Sequence, residues 1–332
     1  MNFQGLIHIE NYQNYLDQAF KNGSKAASAS KSQSRAKTRL EKSRKAEIAR
    51  VESVTKSLSK NLENIVKKYP NFDQLDPFYQ ALTRSVIDVD NLKKSLGSLL
   101  WAKRRVLQMK REALRKIKGA RTNEDLIKAR RAFTGRVSSI LKQVSKNLAF
   151  LEQARKILKR FPALKTKKKT IVLAGAPNVG KSTLLARLTS SKPQIAHYPF
   201  TTKELNVGYD DAGRQYVDTP GLLDRPLHKR NPIEKQAILA LKHLADLIIF
   251  VFDPSESCGY TMQEQQKLLN EIKREFKAPI LTVSNKSDVG GKRKHSIAVS
   301  ALEGKGIDDL REAINSVLAV PDKSRAQDNV NS

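Results

Sequence analysis

Thr170-Ile171-Val172-Leu173-Ala174-Gly175-Ala176-Pro177-Asn178-Val179-Gly180-Lys181-Ser182-Thr183 decides how the second half of this chain folds. A β-branched apolar run meets a glycine turn, and Leu184-Leu185 then open a helical pattern, so the stretch reads as strand, loop, helix. Gly175 to Ser182 satisfies G-x-x-x-x-G-K-S in the one context that turns such a string into a site. The glycines let the backbone curl until its N–H groups face phosphate oxygens. Lys181 is expected to bridge β- and γ-phosphates, and Ser182 to offer its hydroxyl oxygen to Mg²⁺. Gly175, Ala176, Pro177, Asn178, Val179, Gly180, Lys181, Ser182 and Thr183 are therefore the candidate phosphate cradle.

Downstream, Tyr216-Val217-Asp218-Thr219-Pro220-Gly221 ends a second apolar strand on an acidic residue, 36 positions after Ser182. Asp218 can hold Mg²⁺ through water, the Gly221 N–H can meet a γ-phosphate, and Thr201 or Thr202 can supply the remaining metal ligand. The strand Ile280 to Ser284 leads into Asn285-Lys286-Ser287-Asp288. A carboxylate at Asp288 accepts from N1–H and the exocyclic amine of guanine. Adenine offers neither, and would leave a buried carboxylate unpaired, a mismatch that sites of this kind convert into discrimination of about 10⁴-fold or more. Lys286 is expected over the base plane, and the Ala301 N–H of Ser300-Ala301-Leu302 is placed to reach guanine O6. Four elements in order, each at a strand end, specify GTP or GDP.

The first half differs in kind. The whole chain carries 62 Lys plus Arg against 33 Asp plus Glu, a net charge of +29. Residues 1–170 hold 40 basic against 14 acidic side chains, and residues 171–332 hold 22 against 19, so the surplus is +26 before the loop and +3 after it. Apolar residues recur at helical spacing from Phe78 to Leu114, with Gly119 ending the pattern, and again from Leu126 to Phe161. They predict two long helices paired as an antiparallel hairpin, with a third over Ala36 to Tyr69. Lys21 to Ser34, rich in Ser, Ala and Lys, is expected to be mobile until bound. The resulting division is a flexible basic segment at 1–35, a basic helical bundle at 36–165, a nucleotide domain at 166–320 and a short tail at 321–332.

Lys103, Arg104, Arg105, Lys110, Arg111, Arg115, Lys118, Arg121, Arg130 and Arg131 crowd the hairpin. A solvated helix face is one reading, but carboxylates for i,i+4 pairing are scarce, which favours contact with a phosphate backbone. An anionic lipid surface would instead call for exposed Trp or Phe beside the lysines. Trp101, the one tryptophan, lies inside the apolar pattern. Leu244 to Phe252, the longest apolar run, is too short to span a bilayer. A single cysteine, Cys258, excludes an internal disulfide and is read as a turn residue, not a nucleophile; His197 and His228 lack nucleophile partners. A reducing, cytoplasmic setting follows as an expectation.

The nucleotide motifs resemble those of the Ras-like GTPase superfamily over roughly residues 168 to 320, which implies an α/β P-loop domain with a doubly wound, mostly parallel sheet after the all-α bundle. His197-Tyr198-Pro199-Phe200-Thr201-Thr202-Lys203 followed by Gly208 resembles the Obg-related group. Asp218-Thr219-Pro220-Gly221-Leu222-Leu223-Asp224-Arg225-Pro226-Leu227, with Asp253-Pro254-Ser255-Glu256-Ser257-Cys258-Gly259-Tyr260, resembles the nucleolar GTP-binding protein 1 family. Asp76-Pro77-Phe78-Tyr79 and Leu151-Glu152-Gln153-Ala154-Arg155 resemble that family's helical domain. The resemblance implies a GTPase acting in large-ribosomal-subunit assembly through ribosomal RNA on a pre-ribosomal particle. The long carboxy-terminal extension of eukaryotic members has no counterpart here, so an archaeal-type member, monomeric when free, is expected.

Leu222 stands where Ras-like enzymes often carry a water-orienting glutamine, so intrinsic hydrolysis is expected to be slow. Asn178 matches the asparagine with which potassium-dependent relatives hold a monovalent cation, and K⁺ would then supply transition-state charge. The other reading of Asn178 is stabilisation of its own loop. A scaffold with a degenerate nucleotide site is disfavoured by intact Lys181, Ser182, Asp218 and Asp288.

Overall fold

The structure, a computed structural model, describes residues 3–36, 38–191, 193–197, 204–224, 230, 232–289 and 296–319. Its described helices are α1 (Tyr12–Ser32), α2 (Arg39–Lys68), α3 (Pro77–Val86), α4 (Val89–Gly119), α5 (Asn123–Gln143), α6 (Ser145–Leu158), α7 (Lys181–Leu188), α8 (Pro232–Ala240), α9 (Met262–Glu275) and α10 (Ile307–Ala319). Two compact units emerge. One comprises residues 3–74 and 87–159, the other residues 75–86 and everything from 160 onward.

The first unit is helical. Side-chain caps fix its helix starts: Asn11 accepts from Asn14 N at 2.8 Å, Thr38 from Glu41 N at 3.2 Å, and Asp88 from Asn91 N at 2.9 Å. Thr122 and Asp125 form a reciprocal capping box at the start of α5. Leu58, Leu62 and Ile65 of α2 and Leu92, Leu99, Val106 and Ile117 of α4 are buried at helical spacing. At about 25 cal/mol per Å² of apolar surface, each such side chain contributes about 2 kcal/mol of burial.

Three expectations need correction. The stretch Lys21 to Ser34 is not a mobile segment, because its residues up to Ser32 lie in α1 and Gln33 caps that helix. Ala19, Gly23 and Ala27 form a buried small-residue seam that lets α1 approach α2 closely; a Cβ on Gly23 would fall 2.5 Å from Val54 Cγ2. The pattern from Phe78 to Gly119 is two helices, since the Asp88 cap starts α4 afresh, and α3 belongs to the compact unit that holds the residues from 160 onward. The pattern from Leu126 to Phe161 breaks at Val144, whose φ of −93° and ψ of 8° leave the helical well while its side chain stays buried.

The second unit is built on a seven-stranded sheet: β1 (Thr170–Ala174), β2 (Gln194–His197), β3 (Glu204–Tyr209), β4 (Gln215–Asp218), β5 (Leu247–Phe252), β6 (Ile280–Ser284) and β7 (Ile297–Ala298). The order is β2-β3-β4-β1-β5-β6-β7, antiparallel for β2–β3 and β3–β4 and parallel elsewhere. Ile249 and Val251 pack with Leu184, Leu185, Leu310 and Ile314, while the alternating Ile248, Phe250 and Phe252 are equally buried. Both faces of the central strands are thus covered, as the doubly wound architecture requires. Helix α3 is anchored within this unit by Tyr79, whose hydroxyl bonds Pro162 O at 2.8 Å and accepts from Leu164 N at 3.0 Å. Burial pushes that phenol up to about 12.

Candidate nucleotide-binding site

The carboxyl ends of β1, β4, β5 and β6 bring the four motifs together, at the crevice where open α/β sheets bind ligands. Glycine is obligatory at two loop positions. Gly175 has φ 137°, and a Cβ there would sit 2.4 Å from Val251 O; Gly180 has φ 93°, and a Cβ there would sit 2.2 Å from Asn285 Nδ2. Asn178 at the exposed loop tip has φ 60°, a left-handed conformation that asparagine tolerates better than most residues. Lys181 is buried and donates to Gly175 O at 3.0 Å and Ala176 O at 2.8 Å, so it spans the loop whose phosphate it is placed to meet.

Asp218 ends β4 with no exposed surface. Its Oδ2 accepts from Ser182 Oγ at 2.6 Å and from Asn206 Nδ2 at 3.2 Å, while the buried Oδ1 has no hydrogen-bond partner among the described residues. A buried carboxylate oxygen left without a donor beside a serine hydroxyl is the hard, oxygen-only arrangement that suits Mg²⁺. Thr201 and Thr202, the other expected metal ligands, lie outside the described residues. Gly221, with φ 77°, donates its N–H to Asp224 Oδ2 at 2.7 Å.

The base motif is tied to the phosphate loop through one amide. Asn285 Nδ2 donates to Val179 O at 2.8 Å and its Oδ1 accepts from Ala301 N at 2.9 Å. The Ala301 N–H expected at guanine O6 is therefore engaged with Asn285 here. Asp288 is exposed, not buried as expected; it lies on the turn after β6, and a hydrogen bond from the Ser300 hydroxyl lowers its carboxyl pKa. Ser300 and Ala301 are buried, and Leu302 is largely exposed.

Three side chains that carry the site were missed from sequence. Asp253, fully buried at the end of β5, accepts from Lys286 Nζ at 2.7 Å, Ser257 Oγ at 3.1 Å, Cys258 N at 2.9 Å and both Ser255 donors. Burial raises its carboxyl, but the bonds from Lys286 and Ser255 outweigh that and hold it at about 2. Lys286, itself at φ 57°, is thereby fixed in place. Arg187 of α7 donates to Ala301 O at 3.0 Å and Leu302 O at 2.5 Å, and Asn206 orients Asp218. Asp253 opens one of the strings that carry the family resemblance, but nothing in that string gives its side chain a role in the site. Cys258 is buried, and burial pushes its thiol up, away from nucleophile behaviour.

The basic residues of the helical unit divide into two sets. Lys103 pairs with Glu63 at 3.0 Å, Lys110 with Glu52 at 3.7 Å and Arg130 with Glu47 at 3.2 Å, so α2 supplies the carboxylates that i,i+4 spacing lacked. Arg104, Arg111, Arg115, Lys118, Arg121 and Arg131 are exposed and make no ion pair among the described residues; Arg105 donates to Gln108. At 100° per residue, Arg104, Arg111, Arg115 and Lys118 share one face of α4. Leu100, Leu107 and Trp101 lie on that face too, Trp101 at 38% exposure, which corrects its expected burial. The α4 seam is made instead by Leu92, Ser95, Leu99, Ala102, Val106, Met109, Ala113 and Ile117.

Two family models match the chain: the NOG1 N-terminal helical domain over residues 3–164, and nucleolar GTP-binding protein 1 over residues 232–288. The chain belongs to the nucleolar GTP-binding protein 1 family. An uncharacterized protein of Methanocaldococcus jannaschii is 49% identical over 75% of this chain and 71% of its own length. The nucleolar GTP-binding protein 1 of Drosophila melanogaster is 38% identical over 69% of this chain, an alignment that spans only 36% of the fly protein. A Plasmodium falciparum crystal structure assigned to the same family aligns at 31% identity with a TM-score of 0.44, over 51% of this chain and 94% of that one. The family fixes the nucleotide class as guanine and the fold as a P-loop GTPase domain with a helical domain before it. No described helix is long and apolar enough to cross a membrane.

Proposed function

We propose that this protein hydrolyses GTP to GDP and phosphate and acts as an assembly factor for the large ribosomal subunit, with the helical unit as its anchor on ribosomal RNA. The observation that carries the enzymatic part is the orphaned Asp218 Oδ1 beside Ser182, next to a loop spanned by Lys181. Ser182, Asp218 and Thr202 would hold Mg²⁺, which would neutralise phosphate charge when bound. Lys181 contacts the β- and γ-phosphates, and the Gly221 N–H reads the γ-phosphate. Asn285, Lys286 and Asp288, with Ser300, Ala301 and Leu302, select guanine.

Apolar Leu222 offers no hydrogen bond to an attacking water, so turnover is slow until charge is supplied. Asn178, exposed at the loop tip, is the residue to hold K⁺ there. Phosphate release from GTP in KCl and NaCl, with and without ribosomal RNA, tests this. Faster turnover in KCl supports it, and equal rates in both salts remove K⁺ from the account.

Several relatives carry the name nucleolar GTP-binding protein 1, which supports a role in ribosome assembly, and the exposed α4 face supplies uncompensated cations for a phosphate backbone. Such an archaeal-type member would work in the cytoplasm on pre-ribosomal particles, as a monomer when free. Hydrolysis would loosen the segments around Thr202 and Gly221 and release the factor. One observation favours a second reading, a membrane-surface GTPase: Trp101, Leu100 and Leu107 are exposed beside the α4 arginines. Sedimentation with anionic liposomes but not with ribosomal particles would select it.

A further inference from the structure

The turn that begins at Asp218 closes on itself through one carboxylate. Gly221 N–H donates to Asp224 Oδ2 at 2.7 Å, and Asp224 Oδ1 accepts from the Arg230 guanidinium at 3.2 Å. Arg230 also donates to Gly221 O and, at 3.2 Å, to Leu222 O. Leu222 N donates to Thr219 O at 3.0 Å, and Leu223 O accepts from Gly175 N, the first residue of the phosphate loop, at 3.2 Å. Asp224 and Arg230 are each only 5% exposed. This is a buried, hydrogen-bonded arrangement centred on the amide assigned to the γ-phosphate.

We propose that Asp224 sets the balance between the two nucleotides: its carboxylate, held by Arg230, takes on the Gly221 N–H the place of a γ-phosphate oxygen, so GTP must expel it and GDP need not. The proposal rests on the reading of Gly221 as the γ-phosphate donor. Its physical basis is competition between anions. One N–H makes one strong hydrogen bond, and a phosphate oxygen and a carboxylate brought to it together in a water-poor site repel each other. GDP ends at the β-phosphate and leaves the Asp224–Gly221 bond intact. Expulsion also frees Leu223 from Gly175, so the γ-phosphate signal leaves the site as movement of residues 221 to 224. Arg230 is a positioning residue in this scheme, acting on Gly221 through Asp224 and through two carbonyls of the same turn.

The test compares dissociation constants of the full chain for GDP and for a non-hydrolysable GTP analogue, with Mg²⁺ present, in the wild type, Asp224→Ala, Asp224→Asn and Arg230→Ala. A charge-assisted hydrogen bond removed from the competitor should raise analogue affinity on the order of tenfold while GDP affinity stays level. Asp224→Asn should give a smaller rise, because its amide oxygen can still accept without the charge. Arg230→Ala should move the ratio in the same direction as Asp224→Ala. An unchanged ratio in Asp224→Ala, or analogue affinity falling further than GDP affinity, overturns the proposal. If the wild type binds neither nucleotide, the site assignment itself fails, a result distinct from a fixed ratio. Should the alanine variant not fold, hydrogen exchange of the wild type decides: residues 219–224 are expected to exchange faster with the analogue than with GDP, and the reverse order overturns the idea.

Discussion

In the nucleotide site a single buried lysine, Lys181, bonds the carbonyls of its own loop at 3.0 and 2.8 Å, whereas on one face of α4 four basic side chains stand exposed and make no ion pair among the described residues. One region is made for an anion by backbone geometry and the other by summed charge. The first owes its specificity to φ angles at Gly175 and Gly180 and to close approaches that a methyl group would prevent. The second depends on number and spacing, so single changes there should subtract and not abolish. The charge division of +26 and +3 follows that contrast.

Asp288→Asn probes the geometric region most sharply. It is expected to cut guanine-over-adenine preference by about 10³-fold or more while the melting temperature stays put, read by competition binding and thermal unfolding. Lys181→Ala should weaken GTP about 100-fold, because it removes both the phosphate contact and the donor to Gly175 and Ala176. Nucleotide titration checks this, and a loss of only a few-fold would contradict the role. Gly180→Ala adds one methyl 2.2 Å from Asn285 Nδ2 at a positive φ, and should cost GDP affinity on the order of tenfold.

In the charge-summed region, Arg111→Ala is expected to weaken ribosomal RNA binding a few-fold and lower the salt dependence by about one phosphate contact. Lys110→Ala should do less, since Glu52 already holds that ammonium. Equal effects of the two would erase the distinction between paired and free cations. The smallest effect concerns pH. The Asp253 carboxyl is held at about 2 in the fold against about 3.9 unfolded. Its folded value is the lower one, so its stabilisation of about 2 kcal/mol is fully present above about pH 4 and fades as pH falls toward 2. Asp253→Asn should lower the melting temperature at neutral pH and flatten the acid limb of the stability curve.

The sheet and the phosphate loop were legible in the sequence because their constraints are local: a glycine at φ 93° and a lysine after it leave few alternatives. The helical unit was legible in its periodicity but not in its breaks or seams. Ala19, Gly23 and Ala27 look like low complexity until α2 is seen against them, and Ser95, Ala102 and Ala113 placed the α4 seam where larger residues had suggested another face. That is why Trp101, which sits inside the apolar pattern of the sequence, is at the surface. Asp253, Arg187 and Asn206 act across 33, 114 and 12 positions of chain. No motif spacing encodes such contacts, since only the finished sheet brings their elements together.

At the centre of the proposal, a nucleotide bound by the sheet-containing unit governs the grip of the basic helical unit on a ribosomal particle. Sedimentation of the full chain with large-subunit precursors, with GTP analogue or GDP and at low and high salt, tests it in one experiment. Association is expected to be stronger with the analogue and to fall steeply as salt rises. Association equal in the two nucleotides, or indifferent to salt, would contradict it.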